Sequence, residues 1–241
     1  MIERIIDRKL YLDLAADGAA NFISIGKQMQ FNNKIVATNL VCTDADGYIG
    51  VRGVLGLPWR CPDDMAIFKK LTMGKTLVMG AETWATIPNG LPGRTVVIIN
   101  RTKNGCQNLA NPNVCHFKPE NFGDIEELKN FIGEDFFICG GGLIYEAYGV
   151  KADMEIVNTL SFRLDDHVEN KSSLISYKPL RGPIGNHPIQ TVITGVCLDL
   201  HKDLAPAEEP EEYTNNPHQI RLSQLGPMFM CDMSLRFRSA N

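Results

Sequence analysis

An α/β domain built on a mostly parallel central sheet, with helices on both faces, is the fold class this sequence predicts. The first observation is alternation. From Lys34 onward, short β-rich runs take turns with helical patterns: IVATNLVC, PDDMAIFKKLT, KTLVMG, ETWATI, TVVIIN, DIEELKNFIG, DFFICGGG, LIYEAY and MEIVNTL. Strands spaced by helices in this way are joined by crossovers that cover both faces of a sheet. The second is composition: 241 residues, 44% apolar and 22% charged, describe an ordinary globular protein. That length suits one core with elaborations. The third is a change of texture beyond Arg163, where QTVITGVCLDL and MFMCDMSLRFR read as long strands around the Pro- and Glu-rich stretch DLAPAEEPEEYTNNP. These last strands are expected to form an antiparallel edge joined by a solvated loop.

The remaining organisation follows from spacing and charge. Residues 1–34 read as an N-terminal extension packed on the main body, with Ile2, Ile5, Ile6 and Leu10 on one face of a short helix that gives way to the polar stretch GKQMQFNNK. Residues 35–241 form the domain, elaborated over 169–241. A net charge of -4 with no basic block argues against a nucleic-acid partner. The seven scattered cysteines contain no C-x-x-C pair, which fits a reduced, cytoplasmic setting. Cys106, Cys115 and His116 match no common zinc spacing, so no metal is expected. The charged start is unlike a signal sequence, and no run approaches the ~20 apolar residues that cross a bilayer.

Chemistry enters at the helix opened by Pro62. Asp63 and Asp64 both complement the positive end of a helix dipole, which is their bland reading. On a helical wheel Asp64 lies within about 40° of Phe68, on the face shared by Met65, Leu71 and Thr72, while Asp63 is expected to point nearly the other way. A carboxylate on an apolar face is costly unless paired, and a ligand with an amidine-like pair of donors would satisfy it. The preceding segment, DADGYIGVRGVLGLPWR, is glycine-rich and suits a flexible loop or a lid. MGAETW at 79–84 and CGGGLIYEAY at 139–148 are two glycine-led helix starts, each after an apolar strand and able together to flank a pyrophosphate. Neither is a G-x-G-x-x-G fingerprint. LPGR at 91–94 is a turn ending in an arginine.

Taken in order, these pieces resemble the dihydrofolate reductase family: IG (49–50), LPW (57–59), P-x-D-x-x-x-F-K-x-L-T (62–72), MG-x-x-T-W (79–84), IP (87–88), LPGR (91–94), NR (100–101), the GGG turn with Tyr145, and AD (152–153). The likeness spans about residues 35–168 and implies reduction of dihydrofolate to tetrahydrofolate with NADPH. It makes Asp64 the catalytic acid that grips the pterin, and Trp59 the holder of a water beside it. Leu40, Val41, Cys42, Met65, Phe68, Lys69 and Ile87 would border the folate, and Arg94 would pair with its glutamate tail. Asn158 stands where a threonine usually assists the acid. Gly80, Ala81, Glu82, Thr83, Asn100, Arg101, Gly141, Gly142, Leu143 and Ile144 would hold the cofactor, with a cis peptide at Gly140–Gly141. Tyr145, Ile49, Gly50 and the backbone at Cys42 would border the nicotinamide. Antifolates such as methotrexate would bind.

The chain also departs from the family pattern. Ala81 and Glu82 replace a customary arginine after the glycine of MG, and Leu143 replaces another, leaving Arg101, with Lys103, to hold a 2′-phosphate. MGA is similar to some bacteriophage reductases. Two other readings stand beside this one. The reductase of riboflavin synthesis has a similar fold and also uses NADPH, but Asp64 with Trp59 argues against it. A scaffolding protein on the same fold would use the extensions as contact surfaces.

Overall fold

The computed structural model describes residues 8–87, 89–101, 105–108, 111–180 and 230–238. Helix α1 (Arg8–Met29) precedes β1 (Ala37–Thr43), β2 (Tyr48–Val51), α2 (Pro62–Thr72), β3 (Thr76–Gly80) and α3 (Ala81–Ala85). There follow β4 (Thr95–Ile99), β5 (Gly105–Asn108), β6 (Asn111–Phe117), α4 (Ile125–Ile132), β7 (Phe136–Ile138) and α5 (Gly142–Ala147). The described chain closes with β8 (Met154–Leu160), β9 (Leu174–Ser176) and β10 (Met230–Phe237). Eight strands make one sheet in the order β10-β8-β1-β7-β3-β4-β6-β5, while β2 and β9 pair separately.

The six inner strands run parallel. β10 lies antiparallel to β8 at one edge, as expected for the C-terminal strand, and β5 against β6 adds a second antiparallel edge. The run 190–200 and the acidic loop 203–217 lie outside the described residues. Pleating sorts the core into two halves. Leu40, Leu77, Met79, Val96, Ile98, Ile156 and Leu160 face α1 and α2. Val41, Val78, Val97, Ile99, Ile138 and Val157 face α4 and α5. The strands are thus buried on both sides, as a parallel sheet requires. Local chemistry agrees: Asp124 caps α4 by accepting from the N–H groups of Glu126 and Glu127, and Gly133 ends it at φ 75°.

The N-terminal helix differs from expectation. It is 22 residues long and runs through the polar stretch to Met29. Leu10 is 51% exposed, and the buried stripe is Ala15, Ala16, Ala19 and Phe22. Small residues at helical spacing let α1 approach the body closely, a signal that a search for large aliphatics overlooks. Ile2, Ile5 and Ile6 lie outside the described residues. Phe22 stacks on Phe237 of β10 with centroids 4.3 Å apart, and Asp13 pairs with Lys70 of α2.

The sheet's carboxyl ends bring Thr43, Gly80 and Ile138 to one rim. There β1 lies between two strands, β7 and β8, contributed by later chain. Crevices at such rims are the usual ligand sites of open α/β sheets. Replacing Phe22 by alanine should lower unfolding free energy by about 3–5 kcal/mol in a urea titration. The same truncation at exposed Leu10 should cost under about 0.5 kcal/mol.

Candidate active site

Pro62 opens α2 after Cys61, and Asp63 and Asp64 occupy the positive first turn. Here the structure corrects the wheel. Asp63 is 1% exposed and shares the buried arc with Ile67, Leu71 and Thr72. Asp64 and Phe68 lie at the border of that arc and are partly buried. Met65 is 54% exposed and Lys69 is exposed. Successive helical residues stand about 100° apart rather than opposite. One flank of α2 meets the core, and the adjoining flank carries the acid to its edge.

Two strands meet Asp64 there. Cys42 of β1 and Asn158 of β8 are register partners, and both turn toward α2. Asn158 Nδ2 donates to Asp64 Oδ1 at 2.7 Å, and the Cys42 thiol donates to the same carboxylate. Burial raises the Asp64 carboxyl above its ordinary value, and these two donors only partly offset it. Burial first, then the neighbouring Asp64 charge, pushes the Cys42 thiol well up, which keeps its proton available for donation. Burial likewise pushes the Cys61 thiol up to about 12. The Cys42 side chain, expected as an apolar wall, is therefore a polar partner of the acid. Nothing in one dimension signals this, because it follows from the β1–β8 register.

Trp59 is buried edge-on to Phe162, with centroids 5.4 Å apart. Its Nε1 lies beside the Cys42 sulfur, and neither it nor the Oδ1 of Asn158 has a hydrogen bond of ordinary geometry. Such orphans cost about 1–3 kcal/mol each, so a water or ligand that satisfies them is favoured. Leu40 is buried on the α2 side, where Phe68 and Ile87 also pack. Val41 is the exception among the expected walls, since the pleat turns it to the opposite face with Val78 and Val157.

Arg94 precedes β4 on the α2 side of the sheet. It is 8% exposed, its Nε–H donates to Pro92 O at 3.1 Å, and burial lowers its pKa. No carboxylate among the described residues forms an ion pair with it. A largely desolvated guanidinium of this kind is suited to a carboxylate brought by a ligand.

The two glycine-led helix starts meet. Gly80 N–H donates to Gly140 O at 2.9 Å, and the Gly140–Gly141 peptide is cis. A Cβ built on Gly141 would stand 2.8 Å from Thr83 Oγ1, and one on Gly80 3.1 Å from Ile144 Cγ1. Side chains are excluded where the β3–α3 and β7–α5 junctions touch, leaving backbone to face a ligand. Ile144 is buried, and its side chain packs against Gly80 inside this junction. Tyr145 is buried with its hydroxyl donating to Leu40 O at 2.7 Å. Ile49 is half-buried and Gly50 buried. Ala81, Glu82, Leu143 and Arg101 are exposed around the junction, Asn100 is half-buried, and Lys103 lies outside the described residues.

A cleft of about 460 Å³ opens at the other end of the sheet beside Lys34, Lys129, Asp153 and Arg238. Asp153 engages both Lys129 and Arg238 there, so these charges act as a structural cluster.

Comparison with known proteins follows this geometry. Residues 34–166 match the family model described as dihydrofolate reductase. The chain is 35% identical over 130 residues to the dihydrofolate reductase of Mycobacterium leprae, covering 51% of this chain and 72% of that protein. It is 35% identical over 100 residues to the enzyme of that name from Mycobacterium tuberculosis, covering 39% of this chain and 55% of that one. The namesake from Enterococcus faecium is 35% identical over 108 residues, covering 43% of this chain and 59% of that protein. The matched parts thus span about half to three quarters of these relatives.

A carboxyl group whose folded pKa is raised contributes stability while protonated, below its unfolded value of 3.8, and loses it as pH rises through the folded value. Asp64→Asn should therefore melt near the wild-type temperature in acid and above it at neutral pH. Melts recorded between about pH 3 and 8 check this. A gap that is constant, or reversed at neutral pH, contradicts burial as the dominant cause.

Proposed function

The chain belongs to the dihydrofolate reductase family, and from that premise we propose that it reduces 7,8-dihydrofolate to 5,6,7,8-tetrahydrofolate with NADPH, adding hydride at C6 and a proton at N5. The observation that carries this reading is the Asp64 carboxylate, desolvated at the edge of α2 and held by Asn158 and Cys42. A pterin offers a ring nitrogen and a 2-amino group as adjacent donors, and a carboxylate takes such a pair as a fork. Asp64 orients the ring and stabilises positive charge on it, which favours protonation at the reducible bond. The Trp59 N–H would hold a water beside the acid, the route by which a proton reaches the ring. Leu40, Phe68 and Ile87 supply apolar walls, and Arg94 would clasp the glutamate tail.

The excluded Cβ positions at Gly80 and Gly141 fit a pyrophosphate held by backbone N–H groups, with Thr83 and Gly142 beside them. NADPH, when bound, supplies the hydride. Ile49, Gly50, Tyr145 and the backbone at Cys42 would border its nicotinamide, and the 50–59 loop would keep bulk water from the reacting carbons. Arg101 would carry the 2′-phosphate, because Ala81 and Leu143 bring no charge and Glu82 brings the wrong one. Antifolates such as methotrexate would occupy the pterin cleft. The free thiols of Cys42, Cys61, Cys115 and Cys139 support a cytoplasmic setting. No helix among the described residues is long and apolar enough to cross a membrane.

In an assay following reduced-nicotinamide absorbance, the wild type should consume NADPH with dihydrofolate, and Asp64→Asn should lose about 100-fold or more in turnover. Unchanged turnover in that variant would remove Asp64 from the reaction. Saturating methotrexate should raise the melting temperature of the wild type, whereas no shift would favour the scaffolding reading. Arg101→Ala should weaken NADPH about tenfold in a binding titration and leave NADH unaffected.

A further inference from the structure

Helix α1 and strand β10 both lie outside the matched residues 34–166, and each grips the other. The Phe237 ring is flanked by two aromatics: Phe22 stacks on it with centroids 4.3 Å apart, and Phe31 meets it edge-on at 6.3 Å. Gly26 lets the helix backbone lie directly against that ring. A Cβ there would stand 2.2 Å from Phe237 Cε1 and 3.0 Å from Met154 Sδ. With the ring hemmed in, even one added methyl group must push α1 away from β10.

The same helix serves α2. Ala15, Ala16, Ala19 and Phe22 share one half of the core with Ile67 and Leu71 of α2 and with Met233 and Leu235 of β10, and Asp13 pairs with Lys70 of α2. One helix thus joins the two elements whose separation matters to the site. α2 carries Asp64, while β10 sets Met233 opposite Asn158 of β8. The hydrogen bond from Asn158 to Asp64 closes the gap between them at 2.7 Å. Such bonds have a narrow range of length, so a small shift of α2 against β8 is felt at the carboxylate. The cofactor junction stands apart from this, at the carboxyl ends of β3 and β7. α1 approaches β7 only before its opposite end, where Lys27 pairs with Asp135.

We propose that α1 is a strut of the active site: by packing on α2 and β10 at once it fixes Asp64 against Asn158, and Gly26 is the positioning residue whose missing side chain sets the fit. The proposal rests on the reductase reading above, which supplies the ligands that report on it. The pterin half of the cleft responds to α1, and the dinucleotide half does not.

Fluorescence titrations of the full chain with methotrexate and, separately, with NADPH test this, alongside thermal melts. Gly26→Ala should weaken methotrexate about tenfold and leave NADPH within about twofold of the wild type. Combining it with Phe237→Leu, whose shorter side chain clears the new methyl group, should bring methotrexate back to within about threefold of the wild type. If Gly26→Ala does not fold, Phe237→Leu alone decides, with methotrexate weakened about threefold and NADPH unchanged. A lowered melting temperature with methotrexate affinity intact marks a helix that only holds the fold, and overturns the strut. Equal weakening of both ligands also overturns it, since that marks general loosening, and failure of the double variant to recover overturns the role of Gly26. A wild type that binds neither ligand sinks the functional reading itself, and the strut with it, and that result is visible before any variant is made.

Discussion

The hydrogen bond from Asn158 to Asp64 joins a helix to a sheet, and it forms only because β8 lies in register with β1. That register sets Cys42 beside Asn158, so two donors from neighbouring strands converge on one carboxylate. A one-residue slip of β8 would turn Asn158 to the α4 face and leave the acid without that donor. The requirement extends outward. β1 holds its place through β7 on one side and β8 on the other, and β8 is held in turn by β10. Burial of Met233 and Leu235 between the sheet and α1 is therefore part of what positions the acid.

The cofactor half of the cleft depends on a different constraint, the absence of side chains. Gly80 and Gly141 allow two strand-to-helix junctions to touch, which brings the N–H groups of both to one place. Around this junction Ala81 and Leu143 are neutral and Glu82 is acidic, which leaves Arg101 as the cation. The binding energy proposed for the dinucleotide falls on backbone dipoles, on Arg101 and on the apolar contacts of the nicotinamide end. β9 adds order from outside the family segment. Its pairing with β2 ties the loop over the cleft to a strand whose own anchor, Glu155, is buried in the core.

Much of this was legible in one dimension. Alternation of strand and helix named the architecture, and Pro62, the acid pair and the two glycine-led junctions marked the site, because these features are local and their physics is local. What went astray involved orientation. The wheel set Asp63 opposite the buried face, where it is in fact 1% exposed, because periodicity gives angles between residues but not the direction of the core. Val41 was grouped with Leu40 and Cys42 because adjacency in sequence hides the pleat. The alanine stripe of α1 was missed because small residues carry little hydropathy although they permit the closest packing.

The sequence by itself determined which elements form, where the acid and the glycine turns fall along the chain, and which family the chain resembles. Each of these rests on a propensity or motif within a short window. Only the tertiary structure decided that Cys42 and Asn158 share one carboxylate, that Trp59 comes beside Cys42, and that Ile175 stands between Gly50 and Gly142. Those facts depend on register and on contacts between residues far apart in sequence, and no local pattern encodes the distance between two strands that have yet to pair.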